Sequence, residues 1–156
     1  MTTGAWALLT AVVVTLLLGA VWTLTNGVFR GTHRLRGGRV DHGPVAGAVE
    51  ADEVVSVLAG TAYDRQRGER ATLLQFSSAF CAPCRATRRT LAEVADVVPG
   101  VAHVEVDAEQ HLDLVRALGV LRTPTTLVLD PAGRELTRAT GAPRRAQVLG
   151  ALESSL

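Results

Sequence analysis

The chain has 156 residues, 47% of them apolar, and a formal net charge of +1. That balance excludes a disordered chain and the strongly basic surface of a nucleic-acid-binding protein, so no nucleic-acid partner is expected. All 16 basic residues are Arg, and without a Lys neither Schiff-base chemistry nor a phosphate-binding P-loop is available.

Residues from Ala5 to about Leu24 form an uncharged run, AWALLTAVVVTLLLGAVWTL. About 20 residues at about 1.5 Å each cover roughly 30 Å, the depth of a bilayer core. Trp6 and Trp22 stand near its ends, where indole rings favour the headgroup region. A cleavable leader carries basic residues ahead of its apolar run, and none precedes this one, so a retained N-terminal transmembrane helix is expected, with the lipid bilayer as a partner. Arg30, Arg34, Arg36 and Arg39 follow closely, with His33 among them. By the positive-inside rule the rest of the chain then lies on the cytoplasmic side of a single-pass membrane protein, with an Arg-rich flank suited to anionic headgroups.

From Gly31 to about Gly47 the chain is rich in Gly and Arg, contains Pro44, and has no sustained periodicity, which reads as a linker. The expected organisation is an anchor over 1–29, a juxtamembrane linker over 30–49 and one domain over 50–156. Roughly 100 residues suffice for one small core. A short helix is expected from Glu50 to Leu58, with Val54, Val55 and Leu58 on one face. After a polar loop, Thr72 to Phe76 reads as a buried strand. Ala82 to Val98 reads as a helix, with Pro83 in its first turn and Pro99-Gly100 as its stop.

Val101, Val104 and Val106 mark a strand ending at Asp107, and Glu109 to Leu118 reads as a helix stopped by Gly119. Thr125 to Leu129 is strand-like. Asp130-Pro131-Ala132-Gly133 is a turn, and Arg134 to Thr140 returns as its antiparallel partner. Gly141-Ala142-Pro143 opens a last helix holding Val148, Leu149 and Leu152. From residue 72 the order is β-α-β-α-β-β-α. That order predicts an α/β fold with a mixed central sheet and helices on both faces.

Two Cys are too few for a disulfide scaffold. They are too few for a structural zinc site as well, since no two of the four His form an H-x3-5-H pair and no metal is expected. The pair is Cys81-Ala82-Pro83-Cys84, placed after an expected strand and at the opening of an expected helix. Free backbone N–H groups and the helix dipole there favour a thiolate, the form that attacks disulfides. Cys81 is then the exposed nucleophile, and Cys84, one turn deeper, closes the ring that expels the client. Pro83 stiffens the turn without losing a useful N–H. C-x-x-C alone also fits half of a metal site or two idle thiols; the strand–motif–helix context argues against both.

The segment LLQFSSAFCAPCRATRRTL resembles the active-site segment of the thioredoxin superfamily. Further on, GVLRTPTTLVLD resembles that family's strand entry, where a cis-proline faces the dithiol, and Thr123-Pro124 occupies its place. PAGRE and TGAPRRAQVLGAL resemble the family's last hairpin and helix, so the likeness covers about residues 71–153. It implies a thioredoxin-like fold and a membrane-tethered thiol–disulfide oxidoreductase. Cys81 attacks, Cys84 resolves, and no cofactor is needed beyond the Cys81–Cys84 disulfide. It further implies a client groove shaped by Pro124, with backbone hydrogen bonds offered by Thr123 and with Ser77 and Phe80 where relatives carry Trp.

The partners implied are a protein or thiol client and an electron donor that the sequence does not identify; C-x-P-C is associated in this superfamily with reductants. The Thr123–Pro124 bond is expected to be cis, since an X-Pro bond prefers trans by only about 0.5–1 kcal/mol and packing can reverse that. The chain departs from the family pattern at Gln75, where relatives often bury an Asp that takes the proton of the second Cys; an amide does not take one at neutral pH. The Lys that accompanies that Asp is missing, and His103 is the nearby candidate. These departures favour a dedicated client over general housekeeping. They also leave room for a second function, a non-catalytic or redox-sensing binding module at the membrane. A metallochaperone, the third possibility, lacks further Met or His ligands.

Overall fold

The computed structural model of the chain describes residues 3–25, 27–31 and 56–155. In chain order these hold α1 (Thr3–Thr25), β1 (Phe29–Gly31), a 3-10 turn (Asp64–Gln66), β2 (Ala71–Ser77), α2 (Ala82–Val97), β3 (Val101–Asp107), α3 (Leu112–Ala117), β4 (Thr125–Leu129), β5 (Glu135–Thr140) and α4 (Arg145–Ser155). The expected β-α-β-α-β-β-α order from residue 72 is therefore present.

The sheet is mixed, in the order β1-β5-β4-β2-β3. β2 and β3 are parallel, as a crossover through α2 requires, and the other pairs are antiparallel. Alternate side chains of β2 feed two cores. Leu74 and Phe76 pack with Val104, Val106, Leu127, Leu129 and Leu118, with Leu114 and Val115 of α3 over them. Leu73 packs on the other face with Leu91 and Val94 of α2 and Val148 and Leu152 of α4. Helices thus cover both faces of the sheet, each by its apolar stripe.

Three expected elements differ. The helix expected over Glu109–Leu118 is confined to Leu112–Ala117, because Asp107 holds the preceding turn. Its carboxylate accepts the Glu109 backbone N–H and the Gln110 side-chain N–H, and its carbonyl accepts the His111 N–H. Of the helix expected over Glu50–Leu58, residues 50–55 lie outside the described residues. The remainder is a turn, in which Val57 N–H bonds Gly133 O rather than a carbonyl of its own segment. Gly133, at φ +81°, allows this approach, since a Cβ there would collide with Ser56.

The third difference is β1. The sequence places Phe29–Gly31 at the end of the expected anchor and the start of the linker, whereas it forms an edge strand on β5, with Phe29 opposite Ala139 and Gly31 opposite Thr137. Three residues carry too little periodicity to announce a strand. His33, Arg34, Arg36 and Arg39, and the side chains of Arg30 and Trp22, lie outside the described residues.

α1 has 23 residues and no polar stripe. Even so, among the described residues no helix is long and apolar enough to cross a membrane. The side chains of Ala5 and of residues 22–25, at the two ends of the expected span, lie outside those described. The continuous stretch Trp6–Val21 amounts to about 24 Å at 1.5 Å per residue, short of a core of about 30 Å.

Gly27 fixes how β1 enters the sheet. It has φ +75°, donates its N–H to Thr140 O at 2.9 Å, and would bring a Cβ within 2.4 Å of Ala142 O. Gly27→Ala in the full chain should detach β1 while leaving the two cores intact. Hydrogen exchange should speed up for Phe29–Gly31 and the facing amides of β5 and stay unchanged in β2 and β4; uniform protection would show that β1 docks without this contact.

Candidate active site

β2 leaves the sheet at Ser77 and the chain turns at once into α2, with Cys81 as the N-cap residue (φ −99°, ψ 98°). Pro83 lies in the first turn, where its fixed φ suits a helix and its missing N–H is not needed. The Cys84 N–H donates to Cys81 Sγ at 3.1 Å. The two sulfurs are joined in a disulfide, with Cα atoms 5.2 Å apart. Cys81 is half-buried and Cys84 only 2% exposed. When the pair is reduced, the same N–H and the open helix start favour negative charge on Cys81 Sγ, while Cys84 stays shielded behind it. Phe80, directly before the pair, is 100% exposed.

The Thr123–Pro124 bond is cis, as expected from sequence. The pair sits directly before β4, which is hydrogen-bonded to β2, so both loops open at the same end of the sheet. Ser78 Oγ and Thr123 Oγ1 are 3.1 Å apart and tie the two loops together. Pro124 is buried and Thr123 half-buried; Pro124 O accepts the Gly141 N–H at 2.8 Å.

Gln75 lies fully buried under the dithiol. Its Nε2 donates to Cys84 O at 3.0 Å, and its Oε1 is 3.1 Å from His103 Nε2. A carbonyl oxygen only accepts, so the amide orientation is fixed, and Oε1 must receive a proton. His103 therefore carries its proton on Nε2. Burial pushes the His103 pKa down; the Glu105 carboxylate opposes this and Arg88 adds to it, so the ring is neutral at pH 7. Both ends of Gln75 are engaged in these bonds, and neither takes a proton from Cys84.

An open cleft of about 400 Å³ adjoins the disulfide, lined by Tyr63, Ser77, Cys81, Cys84, Arg88 and Glu105 among others. Glu105, the register partner of Gln75, accepts bonds from Ser77 Oγ and Arg88. Burial works against its charge, but those hydrogen bonds and the Arg88 charge outweigh it and hold the carboxyl below its usual range. It is a weak base at neutral pH. Tyr63, Arg88 and Glu105 were not picked out by sequence reasoning. Only the β2–β3 register, invisible before the strands are paired, could have set Glu105 beside Gln75.

A family model described as a thioredoxin-like domain matches residues 62–155. The chain is 30% identical over 87 residues to Thioredoxin-2 of Pyricularia oryzae, covering 55% of this chain and half of that protein. It is also 30% identical over 77 residues to the thioredoxin of Mycoplasma pneumoniae, covering 49% of this chain and 74% of that one. Among solved structures, Fasciola hepatica thioredoxin superposes with a TM-score of 0.52 at 22% identity, over 60% of this chain and 88% of that one. The Trypanosoma brucei brucei thioredoxin gives 0.51 at 24% identity, over 58% and 79%. At these identities the structural matches speak to the fold.

Gln75→Asp should speed release of a client held on Cys81, because a carboxylate in that place can take the Cys84 proton. The same change removes the donor to Cys84 O and buries a charge beside His103, and should cost about 1–3 kcal/mol of stability. Stopped-flow release and urea unfolding read the two effects; an unchanged release rate would mean that the proton leaves Cys84 by another route.

Proposed function

The chain belongs to the thioredoxin-like domain family, and from that premise we propose that it is a thiol–disulfide oxidoreductase acting mainly as a reductant, tethered to a membrane by α1. The observation that carries the chemistry is the Cys81–Cys84 disulfide at the N-cap of α2, with the Cys84 N–H on Cys81 Sγ.

In the reduced protein the Cys81 thiolate attacks one sulfur of a client disulfide. A Cys81–client bond forms, the client's S–S bond breaks, and the other client sulfur leaves as a thiolate. Cys84 then loses its proton and attacks Cys81 Sγ, releasing the second client thiolate and closing the Cys81–Cys84 disulfide. The client gains two electrons and the dithiol loses them; an external dithiol or thiol donor must return them before the next turn. Thr123 and Phe80 flank this centre and are proposed to hold the client, with Pro124 shaping the groove.

Tethering is supported by the sequence of residues 5–24, which carries no charge, and by the exposure of the apolar side chains of α1, including Leu8, Leu16 and Leu18. The Arg residues after it, Arg30, Arg34, Arg36 and Arg39, favour a cytoplasmic domain. A second function, client binding without turnover, is favoured by Gln75, which is hydrogen-bonded at both ends and offers Cys84 no base.

Reduction of insulin disulfides by the full chain in detergent separates the two, since a pure binding module leaves insulin intact. Cys81→Ser should abolish turnover. Cys84→Ser should accumulate mixed disulfides on Cys81, identified by mass spectrometry; adducts on the opposite cysteine in the reciprocal variant would reverse the assignment. Resistance of the full chain to alkaline carbonate extraction tests the anchor, and a reporter at Leu156 that is active only after export would overturn the cytoplasmic orientation.

A further inference from the structure

β2 runs towards the dithiol and ends there at Ser77. β4 is antiparallel to β2, so it starts at that end, directly after Pro124; β5, antiparallel to β4, finishes there at Thr140. β1 is antiparallel to β5 and therefore begins at that same end. The chain coming from α1 thus joins the domain at its dithiol pole and not at the opposite one. The Gly27 N–H on Thr140 O and the Gly141 N–H on Pro124 O link the entry point to the cis-proline loop through adjacent residues.

The distances are short. α1 ends at Thr25, and two Cα steps of about 3.8 Å bring the chain to Gly27. From β1 across β5 and β4 to β2 there are three strand spacings, about 14 Å in all. The Gly- and Arg-rich stretch lies after β1 in the sequence and gives no slack between α1 and the sheet.

The surface of this pole has its own character. Phe80 is 100% exposed and Leu121, just before the cis-proline pair, is 96% exposed. Around them stand the exposed Arg85, Arg122, Arg144 and Arg145, none with an ion pair among the described residues. Two carboxylates, Glu105 and Asp107, line the dithiol cleft together with Arg85 and Arg88; both belong to β3, the edge of the sheet farthest from β1. Isolated large apolar side chains ringed by Arg suit the headgroup zone of an anionic membrane.

We propose that the dithiol pole faces the bilayer that holds α1, with Phe80 and Leu121 at the headgroup level, so that its clients are disulfides presented at the membrane surface. This rests on the membrane reading of α1. It adds a direction to that reading: a tether entering at the opposite pole would turn the dithiol towards bulk water.

The test uses the full chain with Trp6→Phe and Trp22→Phe, reconstituted into vesicles of phosphatidylcholine and phosphatidylglycerol, with one reporter, Phe80→Trp or Val97→Trp. Val97 is exposed at the far end of α2, about 24 Å from Cys81 along a helix of 16 residues. Neither reporter replaces a buried side chain, so folding is not at stake. Vesicle flotation comes first. Lipids brominated near the headgroup should then quench Phe80→Trp several-fold more than Val97→Trp. Protein that floats with equal or no quenching at position 80 overturns the orientation alone. Protein that fails to float overturns the membrane reading and the orientation with it.

Discussion

β2 is hydrogen-bonded along both edges, parallel to β3 and antiparallel to β4, and all seven of its residues are buried. A strand held in this way has no freedom of register. A slip by one residue would drive Gln75 into the cluster of Leu118, Val104 and Leu127 and pull Phe76 towards α2. The position of Ser77, and hence the point where the chain leaves the sheet for Cys81, follows from this enclosure. The cis-proline loop is set by the same pairing, because β4 takes its register from β2. Two loops far apart in sequence are therefore brought to one end of the sheet by one strand, and the Ser78–Thr123 contact closes the arrangement.

Beneath the disulfide the chain has replaced charge with hydrogen bonding. Gln75 bridges Cys84 O and a neutral His103, and the nearby carboxylate, Glu105, is compensated by Arg88 and Ser77. A buried amide with both ends satisfied costs little, whereas a buried acid needs a partner or a proton. The exchange is one of proton capacity for a fixed geometry.

The thioredoxin-like part was legible from sequence because its signals are local. The apolar run at 72–76, Pro83 after Cys81, Pro99-Gly100 and the DPAG turn each mark an element or its end within a few residues. The likeness of the C-A-P-C and T-P-T segments to a known family placed them at one site, and the Ser78–Thr123 contact joins the two loops. What was not legible depends on pairing at a distance. The hydrogen bonds of Asp107 shorten α3 from its N-terminal side, Val57 is claimed by Gly133, and Phe29–Gly31 find their partner only in β5. Glu105 was missed for the same reason, since it reaches the site across a strand pair and not along the chain.

The edge pairing of β1 also has a bearing on how the molecule is made. Phe29 is synthesised 110 residues ahead of its partner Ala139. Chains grow from the N-terminus and their segments fold as they emerge, so α1 and β1 must wait while nearly everything between them and β5 is assembled. Closing so long a loop is slow, because its entropy must be spent before the contact rewards it. Seating of β1 thus follows the formation of β5, its only partner strand among the described residues. Until then β5 keeps an open edge, and unpaired strand edges are where growing chains associate wrongly.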